Sequence, residues 1–289
     1  MKKQTVMQQW LLLGSLTLIW GTSYILMKKA LVVYGPLQLA ALRMVFSLLC
    51  CLPFLPKAFR HISKNDYGKV AIAGLLGSGI PAFLFALAMT RTNSSVNGII
   101  NSLSPLFTVI SGALFWQISV SGRKLAGVLI GLLGAVVLVM GKSGFHFSVE
   151  SGFAIFPVIA TFCYGLNSNY IKQKLAYAPA LEITAMAMLF LGIPSLIILS
   201  FTGMDQVMSH PFFYRSTACL FCLALFGTVV GWILYYRLVQ RTDALFAASV
   251  TYLIPIVAIA WGLLDGERLM PVQLGGMLLI LTGVYFVTR

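Results

Sequence analysis

Charge is what this sequence has least of. Only 9% of its 289 residues are Asp, Glu, Lys or Arg, while 59% are hydrophobic; a soluble domain carries about 25% charged residues. Too few polar side chains remain to cover a water-facing surface, so the chain is expected to be solvated by lipid. Acids are scarcest, seven in all. None falls in the middle of an apolar run, and Glu182, Asp243 and Glu267 stand at run ends. A proton relay or a lipophilic-cation site needs a buried carboxylate, so neither is expected. The histidines His61, His146 and His210 lie between runs. With no His-Glu-x-x-His, no paired Asp and no Ser beside a placed His, the checklist for an active site finds no enzyme; no metal and no cofactor are expected. The five cysteines are odd in number and all sit in apolar runs. Cys219 and Cys222 form a Cys-x-x-Cys, but no second pair or nearby His completes a site, and such thiols act as small hydrophobes.

Base exceeds acid, giving a net charge of +13. Nucleic acid is not an expected partner, because the Lys and Arg residues are scattered singly or in pairs between long apolar runs, the pattern of the positive-inside bias. The N-terminal apolar run has no small-residue cleavage site and is too long for a signal core, so it reads as a span.

About 20 apolar residues cross a bilayer core of roughly 30 Å. That ruler predicts ten spans: Trp10–Leu31, Pro36–Leu55, Tyr67–Met89, Ser94–Trp116, Leu125–Gly141, Ser151–Ile171, Pro179–Phe201, Thr217–Val239, Ala244–Leu264 and Val272–Val287. The loops between them are short. Lys2, Lys3, Lys57, Arg60, Lys64, Lys69, Arg123, Lys124, Lys172, Lys174, Arg237, Arg241 and Arg289 fall on one side, the richer one. That side is expected to be cytoplasmic, with both termini there, in a cell (inner or plasma) membrane.

The sequence partly overlays itself. At an offset of 150, Gly77 meets Gly227, Arg91-Thr92 meets Arg241-Thr242, Pro105 meets Pro255 and Gly112 meets Gly262. At an offset of 144, Trp20-Gly21 meets Tyr164-Gly165 and Lys28 meets Lys172. The expected fold is therefore an all-α membrane protein of ten transmembrane helices in two five-helix repeats, residues 1–145 and 146–289. Five is odd, so the second repeat enters the bilayer from the opposite side. Inverted repeats recur in secondary transporters, because two such halves can open one midplane site to either face.

Trp20-Gly21, Leu42-Arg43, Ala88 before Arg91-Thr92, Ser104-Pro105-Leu106-Phe107 and Asp265-Gly266-Glu267-Arg268 together resemble the EamA family of the drug/metabolite transporter superfamily. The resemblance covers essentially the whole chain. It implies export or uptake of small metabolites, often amino acids, by alternating access, and a cavity lined by spans 1, 3, 4, 6, 8 and 9. Where the second half has Gly266-Glu267 the first has Trp116-Gln117, so the acidic position occurs once.

Within those spans aromatic and amide side chains recur at helical spacing: Trp20 with Tyr24, Asn97 with Asn101, Tyr164 with Asn167, Trp232 with Tyr235, and Tyr252. They are the candidate substrate-binding residues; helix–helix glue is the other reading of the amides, and interfacial anchoring of the aromatics. Gly227 and Gly231 form a GxxxG that permits close helix approach, and Gly127 with Gly131 forms another. Pro105 and Pro255 are the candidate hinges. Arg43, about seven residues into span 2, and Glu267 are taken as structural charges. Spans 5 and 10, short and Gly-interrupted but nearly devoid of polar side chains, read as packing helices. A small neutral or zwitterionic substrate with an apolar part is expected, moved outward. A drug or lipid flippase stays open as an alternative, and a channel is less favoured because no ring of charge is visible. The expected partners are that small molecule and the lipid bilayer; nothing in the sequence sets an oligomeric state.

Overall fold

Backbone N–H and C=O groups in lipid have to be satisfied within the chain, which favours helices. The computed structural model describes residues 2–91, 97, 100–143, 153, 155–264 and 271–288, and every regular element among them is helical. Helix α1 runs Lys2–Ala30, α2 Pro36–His61, α3 Lys64–Ala88, α4 Ser104–Trp116 and α5 Gly122–Ser143. Then come α6, Ile155–Lys174, α7, Ala180–Ser200, α8, Phe213–Arg241, α9, Ala244–Ala248 resuming as Val250–Leu264, and α10, Pro271–Thr288. Among the described residues, α1 (from Val6), α2, α3, α7 and α8 are long and apolar enough to cross a membrane. Helix α6 has the length, but Asn167, Ser168 and Asn169 lower its hydropathy.

Several boundaries differ from expectation. Helix α1 starts at Lys2 rather than Trp10, since no breaker intervenes, and α2 continues past Leu55 to His61 through a 3-10 turn at Leu52–Phe54, where Pro53 removes a donor. Helix α4 is described from Ser104; part of the predicted span before it, and Glu267, lie outside the described residues.

Lipid tails are as apolar as Leu, so helices in a bilayer hold together by close van der Waals fit, which small residues allow. The packing shows this repeatedly. Helix α2 lies along α7, where a Cβ on Gly192 would stand 2.6 Å from Leu48 Cβ. Helix α1 sits between α8 and α9, and α6 sits between α3 and α4. A Cβ on Gly21 would stand 2.6 Å from Val257 Cβ of α9; one on Gly165 would stand 2.7 Å from the Thr108 amide nitrogen of α4. Helices α5 and α10 form a pair at the side of the bundle, with backbones so close that a Cβ on Gly283 would lie 2.5 Å from Gly131 N. These two helices pack; they do not line the cavity described below.

Two helices carry π turns, Leu75–Gly79 in α3 and Leu223–Val230 in α8. Each contains one member of the Gly77/Gly227 pair. π turns often mark functional positions, because they free carbonyls and re-aim side chains.

Candidate functional site

Where α1, α2, α3, α4, α6, α8 and α9 converge, a cavity enclosing about 730 Å³ of empty space, mouth included, opens between the helices. Trp20, Tyr24, Asn101, Tyr164, Trp232 and Tyr235 line it together with Ser23, Arg43, Phe85, Ser104, Gly227 and Thr251.

Its walls follow from local backbone chemistry. In the π turn of α8 the Gly231 N–H bonds to Phe226 O, so it does not reach Gly227 O as it would in an α-helix. The indole N–H of Trp20 donates to that carbonyl at 3.0 Å. The GxxxG makes room for this: a Cβ on Gly231 would stand 2.7 Å from Trp20 Nε1, and one on Gly227 2.7 Å from Ser23 Oγ. Trp20 is thereby fixed against Trp232 and Tyr235, with ring centroids 5.5 and 5.2 Å away. Tyr164 meets Trp232 at 5.8 Å and stacks on Phe85 at 6.0 Å. The result is a continuous aromatic surface drawn from α1, α3, α6 and α8. Edge and tilted pairs of this kind also hold one another in place.

The two candidate hinges bear on the cavity indirectly. Proline has no N–H, so Pro105 and Pro255 leave unclaimed the carbonyls of the residues four earlier. Those residues are Asn101 and Thr251, both cavity-lining; Asn101 O instead accepts from Ser104 Oγ at 2.8 Å. Pro105 opens α4 at its first turn, whereas Pro255 lies inside α9.

Arg43 is half-buried, and its side chain lines the cavity, with Nε donating to Thr228 Oγ1 at 2.7 Å. The sequence reading had left α2 out of the lining; the guanidinium brings it in. Tyr24 and Asn101 line the same cavity, and Asn101 Oδ1 has no partner.

Three expected lining residues sit elsewhere. Tyr252 is fully buried, packs on Gly131 and donates to Val128 O at 2.7 Å, joining α9 to α5. Asn167 fills the slot left by Gly77 and reaches Tyr236 Oη at 3.5 Å. Asn97 is buried and is not among the lining residues. The positions missed include Phe85, Ser104, Thr251, Met27 and Ile254. One signal was available for several of them: shifted by 150, Asn101 becomes Thr251, Ser104 becomes Ile254 and Phe85 becomes Tyr235.

A bundle of apolar helices that encloses an aromatic cavity has the architecture of a membrane transporter. Residues 8–140 and 152–289 match the model of the EamA-like transporter family, and the chain belongs to that family, within the drug/metabolite transporter superfamily. It is a family of membrane transporters, not of enzymes. An "Uncharacterized transporter" of Archaeoglobus fulgidus is 25% identical over 98% of this chain and 99% of its own. A protein of Salmonella typhimurium named "Probable amino-acid metabolite efflux pump" is 26% identical over 92% of this chain and 90% of its own. An "Uncharacterized inner membrane transporter", YedA of Escherichia coli, is 26% identical over 96% of this chain and 89% of its own. A solved crystal structure, 16% identical, superimposes with a TM-score of 0.75 over 96% of this chain and 95% of that one, a likeness of fold.

Proposed function

We propose that this protein is a secondary carrier that exports a small neutral or zwitterionic metabolite with an apolar part, an amino acid or close relative, by alternating access. One observation carries the reading: the cavity is lined by repeat-related pairs. Trp20 and Tyr164, Asn101 and Thr251, Ser104 and Ile254, and Phe85 and Tyr235 correspond at offsets of 144 or 150, and all face one space. A cavity shared in this way between ten spans in two inverted halves, 1–145 and 146–289, would open to either side as the halves exchange shapes. The packing supports it, because moving every helix five places along maps contact onto contact. The α1–α9 pair becomes α6–α4, α1–α8 becomes α6–α3, and α2–α8 becomes α7–α3, while α2–α7 and α5–α10 map onto themselves. Leu48 and Gly192, in direct contact, are themselves related by 144. The two family matches in one chain agree with this, and the relative named as an efflux pump supports amino-acid-like cargo and outward flux. Both termini are assigned to the cytoplasm from the Lys and Arg bias alone.

Substrate-driven counterflow in proteoliposomes tests the carrier. Uptake of labelled amino acid should saturate and accelerate when unlabelled amino acid is loaded inside. Linear, non-exchanging flux would replace the carrier with a pore. Reporter fusions after residues 65 and 289 should both read cytoplasmic; opposite readings would remove the inverted arrangement.

A further inference from the structure

We propose that Arg43 is the specificity-determining residue of the cavity: its guanidinium holds a carboxylate of the transported molecule, and Asn101 Oδ1 receives that molecule's ammonium group. This rests on the carrier reading and narrows its cargo to carboxylate-bearing molecules, zwitterionic amino acids with apolar side chains foremost.

The first ground is an uncompensated charge. A cation within a span is costly unless it is paired or meets water or a ligand, and a structural Arg is ordinarily matched by a carboxylate. Of the three carboxylates whose side chains are described, none is matched to Arg43. Glu182 lies against His61 and Lys57, Asp66 against Lys69, and Asp243 against Lys124. Arg43 Nε donates to Thr228 Oγ1, a neutral partner that orients the group. An Arg fork is suited to carboxylate geometry.

The second ground is the other half of the molecule. Shifted by 144, Arg43 becomes Ala187, which packs on Gly74 with room only for a methyl group. The scaffold is therefore built without a charge at the equivalent position, and the cation is particular to the cavity side. The third is an acceptor lacking a donor. Asn101 is 6% exposed, and its Oδ1 is unpartnered. A buried carbonyl oxygen without a donor is unfavourable, and an ammonium group supplies one. Tyr24, Arg43 and Asn101 line the same cavity. Trp20, Trp232 and Tyr164 then form the wall for an apolar side chain.

The test is a competition series on the purified full chain, read by counterflow and by quenching of tryptophan fluorescence. The probes are the twenty amino acids, with the amide and the N-acetyl derivative of whichever binds best. For the wild type we expect the free acid to compete at least ten-fold better than its amide. In Arg43→Gln that preference should fall to about one while binding of the amide stays unchanged. Arg43→Lys should keep part of the preference, because it retains charge without the fork. If Arg43→Gln does not fold, the Lys variant decides: equal loss for acid and amide overturns the proposal. Asn101→Leu should lose the amino acid's advantage over its N-acetyl derivative. An acid preference that survives Arg43→Gln, or no carboxylate bound by the wild type, overturns the assignment. Saturable counterflow of a molecule without a carboxylate that matches the free acid in affinity overturns it too while leaving the carrier intact. The absence of exchange for any solute would instead remove the carrier itself.

Discussion

Helices α1 and α6 occupy equivalent places, each wedged between two helices from the other half of the sequence, yet different chemistry holds them there. Helix α6 buries three consecutive polar residues, each with its own neighbour. Asn167 reaches Tyr236 Oη at 3.5 Å, Ser168 Oγ lies 2.5 Å from Tyr235 Oη, and Asn169 Nδ2 donates to Thr108 O at 2.7 Å and Ser111 Oγ at 3.0 Å. Helix α1 exposes Val6, Met7, Leu11 and Leu18 and meets α9 through Gly21 on Val257 and an exposed bond from Trp261 to Thr22 Oγ1. Stranding a buried polar group costs about 1–3 kcal/mol, whereas an apolar helix face exchanges protein for lipid at little loss. Helix α6 is thus a post held by polar bonds, and α1 a wall held mainly by apolar packing.

The largest effect should come from filling the glycine seats. In Gly165→Val the new side chain meets Phe107 and Thr108 backbone, with Cβ contacts of 2.7 Å and no flexible end to yield. Overpacking against backbone should cost about 3 kcal/mol or more, and a fluorescent fusion of this variant should lose its monodisperse chromatographic peak. Gly21→Ala adds only a methyl group, against Val257 Cβ at 2.6 Å, and this smaller overpacking should cost about 1–2 kcal/mol, leaving folded protein with impaired transport. If the two variants melt alike, the contrast between post and wall fails.

A smaller effect sharpens the comparison. Asn169→Leu removes two buried hydrogen bonds of α6, for an expected loss of about 2 kcal/mol of stability. Protein that remains folded should bind substrate with unchanged affinity, since Asn169 does not line the central cavity. Thr22→Val on α1 breaks an exposed bond and should leave the melting temperature where it was.

The helices were legible because lipid demands long apolar runs, and Trp20, Tyr24, Asn101, Tyr164, Trp232 and Tyr235 because polar or aromatic groups in mid-span stand out against them. The rest was hidden for identifiable reasons. Phe85, Met27 and Ile254 line the cavity, but an apolar side chain there reads like one facing lipid. The break at Ser249 between the two parts of α9 turns the helix face, so Thr251 and not its neighbour Tyr252 meets the cavity. The π turns leave no mark in an apolar sequence, yet they free the carbonyl that fixes Trp20. Arg43 announced its charge, while its distance from the described carboxylates became visible only once these were seen paired with His61, Lys57, Lys69 and Lys124.

On the α1 side, Trp20→Phe separates ring packing from the indole hydrogen bond. The phenyl ring can still meet Trp232 and Tyr235, but Gly227 O loses its 3.0 Å donor. A net loss of about 1 kcal/mol corresponds to roughly five-fold, and it should fall on transport, because the carbonyl and the ring define the cavity wall. The melting temperature should scarcely move. A variant that melts early but transports normally would make Trp20 a packing residue and α1 a second post.

Tyr252→Phe is expected to change transport least of all. Its hydroxyl donates to Val128 O at 2.7 Å, far from the aromatic surface, and the ring is fully buried against Gly131. Removing the oxygen keeps the packing and leaves one carbonyl short of a donor, a stability loss of about 1 kcal/mol with counterflow rates unchanged. The same deletion in Tyr24→Phe falls on a residue that lines the cavity with Asn101 and Arg43. The two tyrosines therefore provide a matched pair, one holding α9 to α5 and one lining the cavity. If Tyr252→Phe slows transport as much as Tyr24→Phe does, then the α5–α10 pair takes part in the conformational cycle and is more than packing.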